Sequence, residues 1–277
     1  MGNPGDTNDL LNPREAASLL GVHTASVKRW SDQGKLRCIR TAGGHRRFFR
    51  RDVEALRTPP SAAHADFIER LWATASAGEQ LNTEGILLDY WGQLGRWELV
   101  SDALGILLTA VGQAWVEGEM PIAEEHVGSN TLLRSMERLL MMMPVPFDAP
   151  VCGLVTVPND IHTMGLAMSE LVLAEHSWRS HWMGSHCSVD DMVTVMERPE
   201  VAMLALSASQ YSGSPADLHN LLVRLAPVAR ATDTHLVLGG TGAWPNATPN
   251  AHRTRSFRDF GLMLRERVNA QHRYRAV

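Results

Sequence analysis

Apolar residues recur at spacings of three and four through residues 66–76, 82–92, 96–116 and 121–143, which predicts four amphipathic helices. Their connections are short, so neighbouring helices must run antiparallel. The natural packing is a four-helix bundle, with Gly95 between the second and third helices and MPVPFDAP ending the fourth. Beyond Pro150 the pattern changes. Short apolar runs, VCGLVTV, WRSHWMG, VAMLALS and HLVLGG, alternate with the helical stretches MGLAMSELVLAEH, VDDMVTVME and ADLHNLLVRLAPVAR. That alternation predicts a doubly wound parallel α/β sheet, whose ligand belongs outside the carboxyl ends of the strands. The segments at those ends are PNDIHTMG, SAS and GGTG.

A different pattern occupies the first 58 residues. Asn12 caps a helix opened by Pro13 and buried through Ala16, Ala17, Leu19 and Leu20, and Gly21 turns the chain. A second helix runs from Thr24 to Asp32, with Val27 and Trp30 inward and Ser26, Lys28 and Arg29 outward, the layout of a helix-turn-helix. In RCIRTAGGHRRFF a strand, a Gly43-Gly44 hairpin and a second strand make a wing. Arg40, His45, Arg46 and Arg47 line it, Phe48 packs beneath, and these wing residues together with Ser26, Lys28 and Arg29 are placed to contact DNA, Arg46 and Arg47 from the wing. The stretch TPPSAAHA reads as a linker, which divides the chain into residues 1–58, 59–65, 66–147 and 148–277.

Charge sharpens this division. Residues 1–58 hold 11 Lys and Arg against 6 Asp and Glu, whereas the remainder holds 15 against 24, so a net charge of −4 conceals a basic head on an acidic body. Such a split suits double-stranded DNA as the partner of the head alone. A hydrophobic fraction of 44% over 277 residues is enough for a sizeable core. The three cysteines, Cys38, Cys152 and Cys187, have no CxxC spacing and fit free thiols in a reducing cytoplasm. No signal peptide is evident, and no apolar run is expected to span a bilayer.

Two sites carry candidate chemistry. WVEGEMPIAEEH puts Trp115 in the last turn of one bundle helix and Glu125 and His126 in the first turns of the next, with Pro121 as first helical residue. A core tryptophan beside a solvated Glu-His pair is the plain alternative. On the loop after the first strand, Asp160-Ile161-His162-Thr163-Met164-Gly165 places a carboxylate where it can fix the tautomer of a metal-ligating imidazole. Gly165 permits close approach of a large ligand. The alternative is a sheet-end histidine with ordinary hydrogen bonds. His176, His181 and His186 are spaced by five, which suits neither a helix face nor one side of a strand, so they make a poor zinc set.

The head resembles the MerR-type winged helix at Gly21-Val22, Arg29-Trp30, Gly34 and Arg40 to Phe48. The α/β region resembles cobalamin-binding domains in its DxHxxG motif, in Ser207 after 41 intervening residues, and in Gly239-Gly240. It departs at Ser209, where the family has leucine, in the part that packs the nucleotide tail. Head, bundle with Trp115 ahead of Glu125-His126, and DxHxxG domain together are similar to the CarH-type light-responsive repressors. That resemblance implies a multidomain α and α/β protein: a winged helix, a four-helix bundle capping the corrin, and a Rossmann-like, flavodoxin-like cobalamin domain. It implies adenosylcobalamin as cofactor, with His162 as lower cobalt ligand, Trp115 and Glu125 at the adenosyl group, and His126 as a cobalt ligand after photolysis. It further implies a DNA-binding homo-oligomer, a tetramer by analogy, that light dismantles, and no enzymatic activity. A regulator sensing cobalamin supply, a cobalamin-independent paralogue and a corrinoid methyl carrier are the alternatives, and the head argues against the last.

Overall fold

A computed structural model describes residues 10–20, 24–32, 36–41, 43–50, 52–53, 62–245 and 251–275. Gly21, Val22, Gly34 and the prolines of the expected linker lie outside the described residues, as does the side chain of Ser26. The chain divides into two compact units, Met1–Ala63 and His64–Val277.

In the first unit, Asn12 Oδ1 accepts the backbone N–H groups of Arg14 and Glu15 at 2.9 and 3.0 Å, and Glu15 Oε2 accepts the N–H of Asn12 at 2.7 Å. This reciprocal cap fixes the start of α1, Pro13–Leu20, which packs on α2, Thr24–Asp32. A small antiparallel sheet of β1, Leu10–Leu11, β2, Cys38–Arg40, and β3, Arg46–Phe49, has the order β1-β3-β2. Gly44 closes the wing turn at φ +78°, a conformation only glycine adopts without strain. Leu11, Ala16, Ala17, Val27, Leu36, Phe48 and Val53 form the buried core, with Trp30 and Cys38 against it.

In the second unit the four expected helices are α3, Ala62–Ser76, α4, Gln80–Leu94, α5, Trp97–Val116, and α6, Ile122–Met141. Helix α3 begins inside the stretch read as linker, because Ala62, Ala63 and Ala65 favour helix and lead straight into the buried Phe67. Pro121 is the N-cap of α6 and Ile122 its first residue, a shift of one position. Helix α5 also corrects the expectation about apolar runs, since by length and composition it could cross a membrane. Here it is a core helix: Val100, Leu104, Leu107 and Val111 are buried at helical spacing in the bundle.

Five parallel strands follow: β4, Val151–Thr156, β5, Arg179–Gly184, β6, Val201–Ser207, β7, His235–Gly239, and β8, Ala251–Arg253. Their order is β5-β4-β6-β7-β8, with β4 fully buried near the centre. Helices α8, Val189–Met196, and α9, Pro215–Ala231, pack together, and their apolar faces share one core cluster with residues of β6 and β7. Helices α7, Met164–Glu175, and α10, Phe257–Arg275, pack on each other and on α5, and share a core with the bundle. The chain direction reverses in strand order between β4 and β6, which is where a doubly wound sheet opens its ligand crevice. The sequence pattern missed β8, only three residues long, and α10, whose charged residues mask its buried Phe260, Met263 and Leu264.

Acidic side chains stitch α5 to α7 and α10. The Trp97 N–H donates to both oxygens of Glu175 at 2.9 and 3.0 Å. Asp102 accepts the N–H groups of Phe257 and Arg258 at 2.7 and 3.3 Å, capping α10 from another helix. Burial pushes the Asp102 carboxyl up to about 6, against the pull of those two N–H bonds. A carboxyl raised on folding contributes stability that is fully present below its unfolded pKa and is lost as pH rises through the folded one. Asp102→Asn is therefore expected to flatten the fall in melting temperature between about pH 4 and 6. Thermal melts across that window check this, and an unchanged slope would remove Asp102 as its source.

Candidate functional site

The crevice beside β4 is built around Asp160. Asn159 turns the chain at φ +66°, and the Thr156 hydroxyl donates to the Asp160 carbonyl at 2.6 Å, so the loop folds back on its own strand. The Asp160 carboxylate is buried, and four donors converge on it. Oδ1 accepts the His162 N–H at 2.9 Å and pairs with His162 Nδ1 at 2.7 Å. Oδ2 accepts the Ser209 N–H at 2.6 Å and the Ser212 hydroxyl. Burial alone would raise this carboxyl; the bonds from Ser212, Ser209 and His162 outweigh it and hold it at about 2.

An ionised carboxylate can only accept, so in the neutral ring Nδ1 of His162 carries the proton and Nε2 the lone pair. The ring is about half exposed, and it stacks with Tyr211 at a centroid distance of 5.7 Å. Exposed Ile161 and Tyr211 flank it. The result is an oriented imidazole nitrogen on a partly apolar rim, donor chemistry that suits a borderline metal.

Neighbouring loops shape the rest of the rim. Gly165 opens α7, and a methyl group there would stand 3.4 Å from the Ser207 hydroxyl at the end of β6. Gly239 ends β7, and Gly240, at φ +79°, passes so close that a Cβ would lie 2.2 Å from the Ala208 carbonyl oxygen. Asp160, His162, Gly165, Ser207, Gly239 and Gly240 thus lie at or just beyond the carboxyl ends of β4, β6 and β7. Ser209 does more than replace a leucine: its hydroxyl accepts the Tyr211 N–H at 3.2 Å and meets the Ser212 hydroxyl at 3.3 Å, forming the turn that delivers Ser212 to Asp160. Ser212 and Tyr211 were missed from the sequence, and the only signal was the polar SASQYSGS run after β6.

The bundle residues sit at the joined ends of α5 and α6. Gly118, at φ +74°, and the Glu119 N–H bond to the Ala114 carbonyl close the turn. Trp115 is 48% exposed, and Val116, Ile122 and Val127 around the same turn are exposed too. Glu125 is held between the Ser129 hydroxyl, 2.6 Å from Oε1, and His126 Nδ1, 2.6 Å from Oε2. His126 projects outward. Helix α6 packs on α7, the helix that begins two residues after His162.

In the head, Lys28, Arg29, Arg40 and His45 are exposed. Arg47 is partly buried and donates to the Arg46 carbonyl. Arg46 instead turns inward, with Nη2 2.6 Å from Asp32 Oδ1 and Nη1 3.0 Å from the Lys28 carbonyl. Elsewhere, Glu98, Glu175 and His176 lie close enough to hold a cation, but both Glu98 oxygens already face Arg265.

Residues 10–58 match the helix-turn-helix domain family. The chain is 24% identical to the HTH-type transcriptional repressor CarH of Myxococcus xanthus, over 76% of this chain and 82% of that protein. It is 50% identical to the transcriptional repressor DcmR of Methylorubrum extorquens over 44 residues, 16% of this chain and 17% of that one. The fold is similar to that of the monomethylamine corrinoid protein of Methanosarcina barkeri, with a TM-score of 0.55 and 11% identity, over 72% of this chain and 97% of that one. A helix-turn-helix head, a helical bundle and a Rossmann-like α/β domain thus follow one another along the chain.

Proposed function

We propose that this protein is a cytoplasmic transcriptional repressor that holds adenosylcobalamin and binds double-stranded DNA as an oligomer in the dark, releasing it in the light. The observation that carries the reading is the Asp160-held imidazole of His162, with Nδ1 engaged and Nε2 free on an exposed ring. His162 would be the lower ligand, and the glycines at 165, 239 and 240 would let the backbone approach the macrocycle. Trp115 and Glu125 would line the adenosyl side. His126, its Nδ1 already taken by Glu125, would have Nε2 to offer to the cobalt. When bound, adenosylcobalamin supplies a cobalt–carbon bond that light breaks.

The residues themselves explain how such a loss can be read. Trp115, Val116 and Ile122 are apolar and exposed, so a large upper group covering them stabilises one placement of the bundle over others. An assembly that depends on that placement weakens when the group leaves. Linked heads bind DNA at an effective concentration that separate heads lack, so disassembly lowers DNA affinity without touching the heads.

Size-exclusion chromatography with adenosyl-, methyl- and hydroxocobalamin, in darkness and after green light, tests the proposal. The expected result is a larger species only with adenosylcobalamin in darkness. Trp115→Ala should weaken that species roughly tenfold or more, in line with loss of a large aromatic contact. His126→Ala should leave the dark assembly intact. One elution volume under every condition overturns the light-switch reading.

A further inference from the structure

We propose that Arg46 is a positioning residue that locks the wing to the recognition helix, and that Arg47 and the exposed cations, not Arg46, contact DNA. The inference rests on the DNA-binding reading of the head. Its basis is the alternation along β3. Phe48 is fully buried, so Arg46, two residues before it, lies on the inward side of the strand, while Arg47 faces the other way. The Arg46 side chain is only 17% exposed.

Its guanidinium is already used. One nitrogen pairs with the Asp32 carboxylate on the last residue of α2, and another donates to the Lys28 carbonyl one turn earlier. A cation at a helix C-terminus also complements the helix dipole. The turn that Arg46 grips is the one carrying the exposed side chains of Lys28 and Arg29, so the fork fixes where those two cations stand relative to the wing. Swinging the Arg46 side chain out toward a phosphate would loosen this grip, and a lysine in its place could not reproduce its planar two-pronged geometry.

The two roles make opposite demands on Asp32. If Arg46 were a phosphate contact, Asp32 would compete with the DNA, and Asp32→Asn would tighten binding. If Arg46 is a lock, Asp32→Asn and Arg46→Lys should each weaken binding roughly three- to tenfold, and the double variant should be no weaker than the weaker single one. The full-length protein is titrated, with adenosylcobalamin in darkness, against a duplex that the wild type selects from a random pool, over a range of salt. Arg46→Ala should lower affinity without changing the log-log salt slope, whereas Arg47→Ala should reduce that slope by about 0.9. Hydrogen exchange of residues 24–32 in the DNA-free protein should rise several-fold in Asp32→Asn and Arg46→Lys, with α1 unchanged. Tighter binding by Asp32→Asn, wild-type affinity in Arg46→Lys, a lower slope in Arg46→Ala, or unchanged exchange in 24–32 each overturns the lock. If the wild type selects no duplex, the DNA reading of the head fails, while the exchange data still decide the lock.

Discussion

Asp160→Asn is expected to weaken cobalamin binding about 10- to 100-fold, the usual cost of removing the group that orients a metal-ligating histidine. The reason lies in the count of donors. Four hydrogen bonds converge on the Asp160 carboxylate, from His162 twice, Ser209 and Ser212. An amide offers one acceptor oxygen and a pair of donors, so at least one side of that cluster would face a donor with a donor. If the amide nitrogen faces His162, the Nδ1 proton is no longer fixed, and the tautomer with a proton on Nε2 cannot ligate; if it faces Ser209 and Ser212, the turn that holds the residue in place loses its acceptor. If His162 is the lower ligand, as proposed, His162→Ala should remove it outright and shift the dark absorption spectrum of the bound cobalamin. The acid limb gives a separate readout on the apo protein. A carboxyl held down to about 2 contributes stability above its unfolded pKa that is lost as pH falls through the folded value. Asp160→Asn should therefore lose part of the acid sensitivity below about pH 4. Equilibrium titrations with both variants, with their apo melting curves, make the check; wild-type affinity and spectrum in both would end the lower-ligand assignment.

How much of this was legible in the sequence depends on the range of the interaction. Periodicity placed the four bundle helices within a few residues, and apolar runs placed β4 to β7, because burial on one face leaves a local signature. The DxHxxG loop was legible for the same reason: Asp160 and His162 interact two residues apart. The donors that set the charge on Asp160 were not, since Ser209 and Ser212 stand 49 and 52 residues away and no spacing rule connects them. Helix α10 was missed although its residue Arg265 meets Glu98 across 167 positions. Arg46 is an intermediate case. Its inward side follows from its place two residues before a buried phenylalanine, but its partner Asp32 lies across a tertiary contact.

Gly261→Ala should be among the most destabilising single-methyl changes in the second unit, although helix propensity alone predicts a gain. Alanine in place of glycine inside α10 would ordinarily help by about 1 kcal/mol. At this position, however, a Cβ would lie 1.8 Å from Glu98 Oε2 and 3.1 Å from His176 Nε2. Glu98 is 1% exposed, and it takes two hydrogen bonds from Arg265 at 2.7 and 3.2 Å, one from Arg96 at 3.3 Å, and a contact with His176 at 3.2 Å. Burial would push the Glu98 carboxyl up, but the bonds from Arg265, His176 and Arg96 outweigh it and hold it below the usual range. The methyl must displace this carboxylate, which strands charge in the seam between α5, α7 and α10. Breaking a buried pair in that way costs about 3–5 kcal/mol, so the net loss is about 2–4 kcal/mol after the helix gain. For a unit of this size that is a fall of about 5–15 °C in melting temperature. The wild-type seam should also weaken as pH drops through the depressed Glu98 pKa, and Gly261→Ala should lose that dependence. Helix α7 starts two residues after His162 and ends at Glu175, next to His176, so the damage falls at the end away from the His162 loop. At low temperature the variant should still bind cobalamin. Melting and cobalamin titration of the same sample decide the matter: a melting temperature equal to or above wild type means that Glu98 moves aside freely and the seam is not a constraint on the fold.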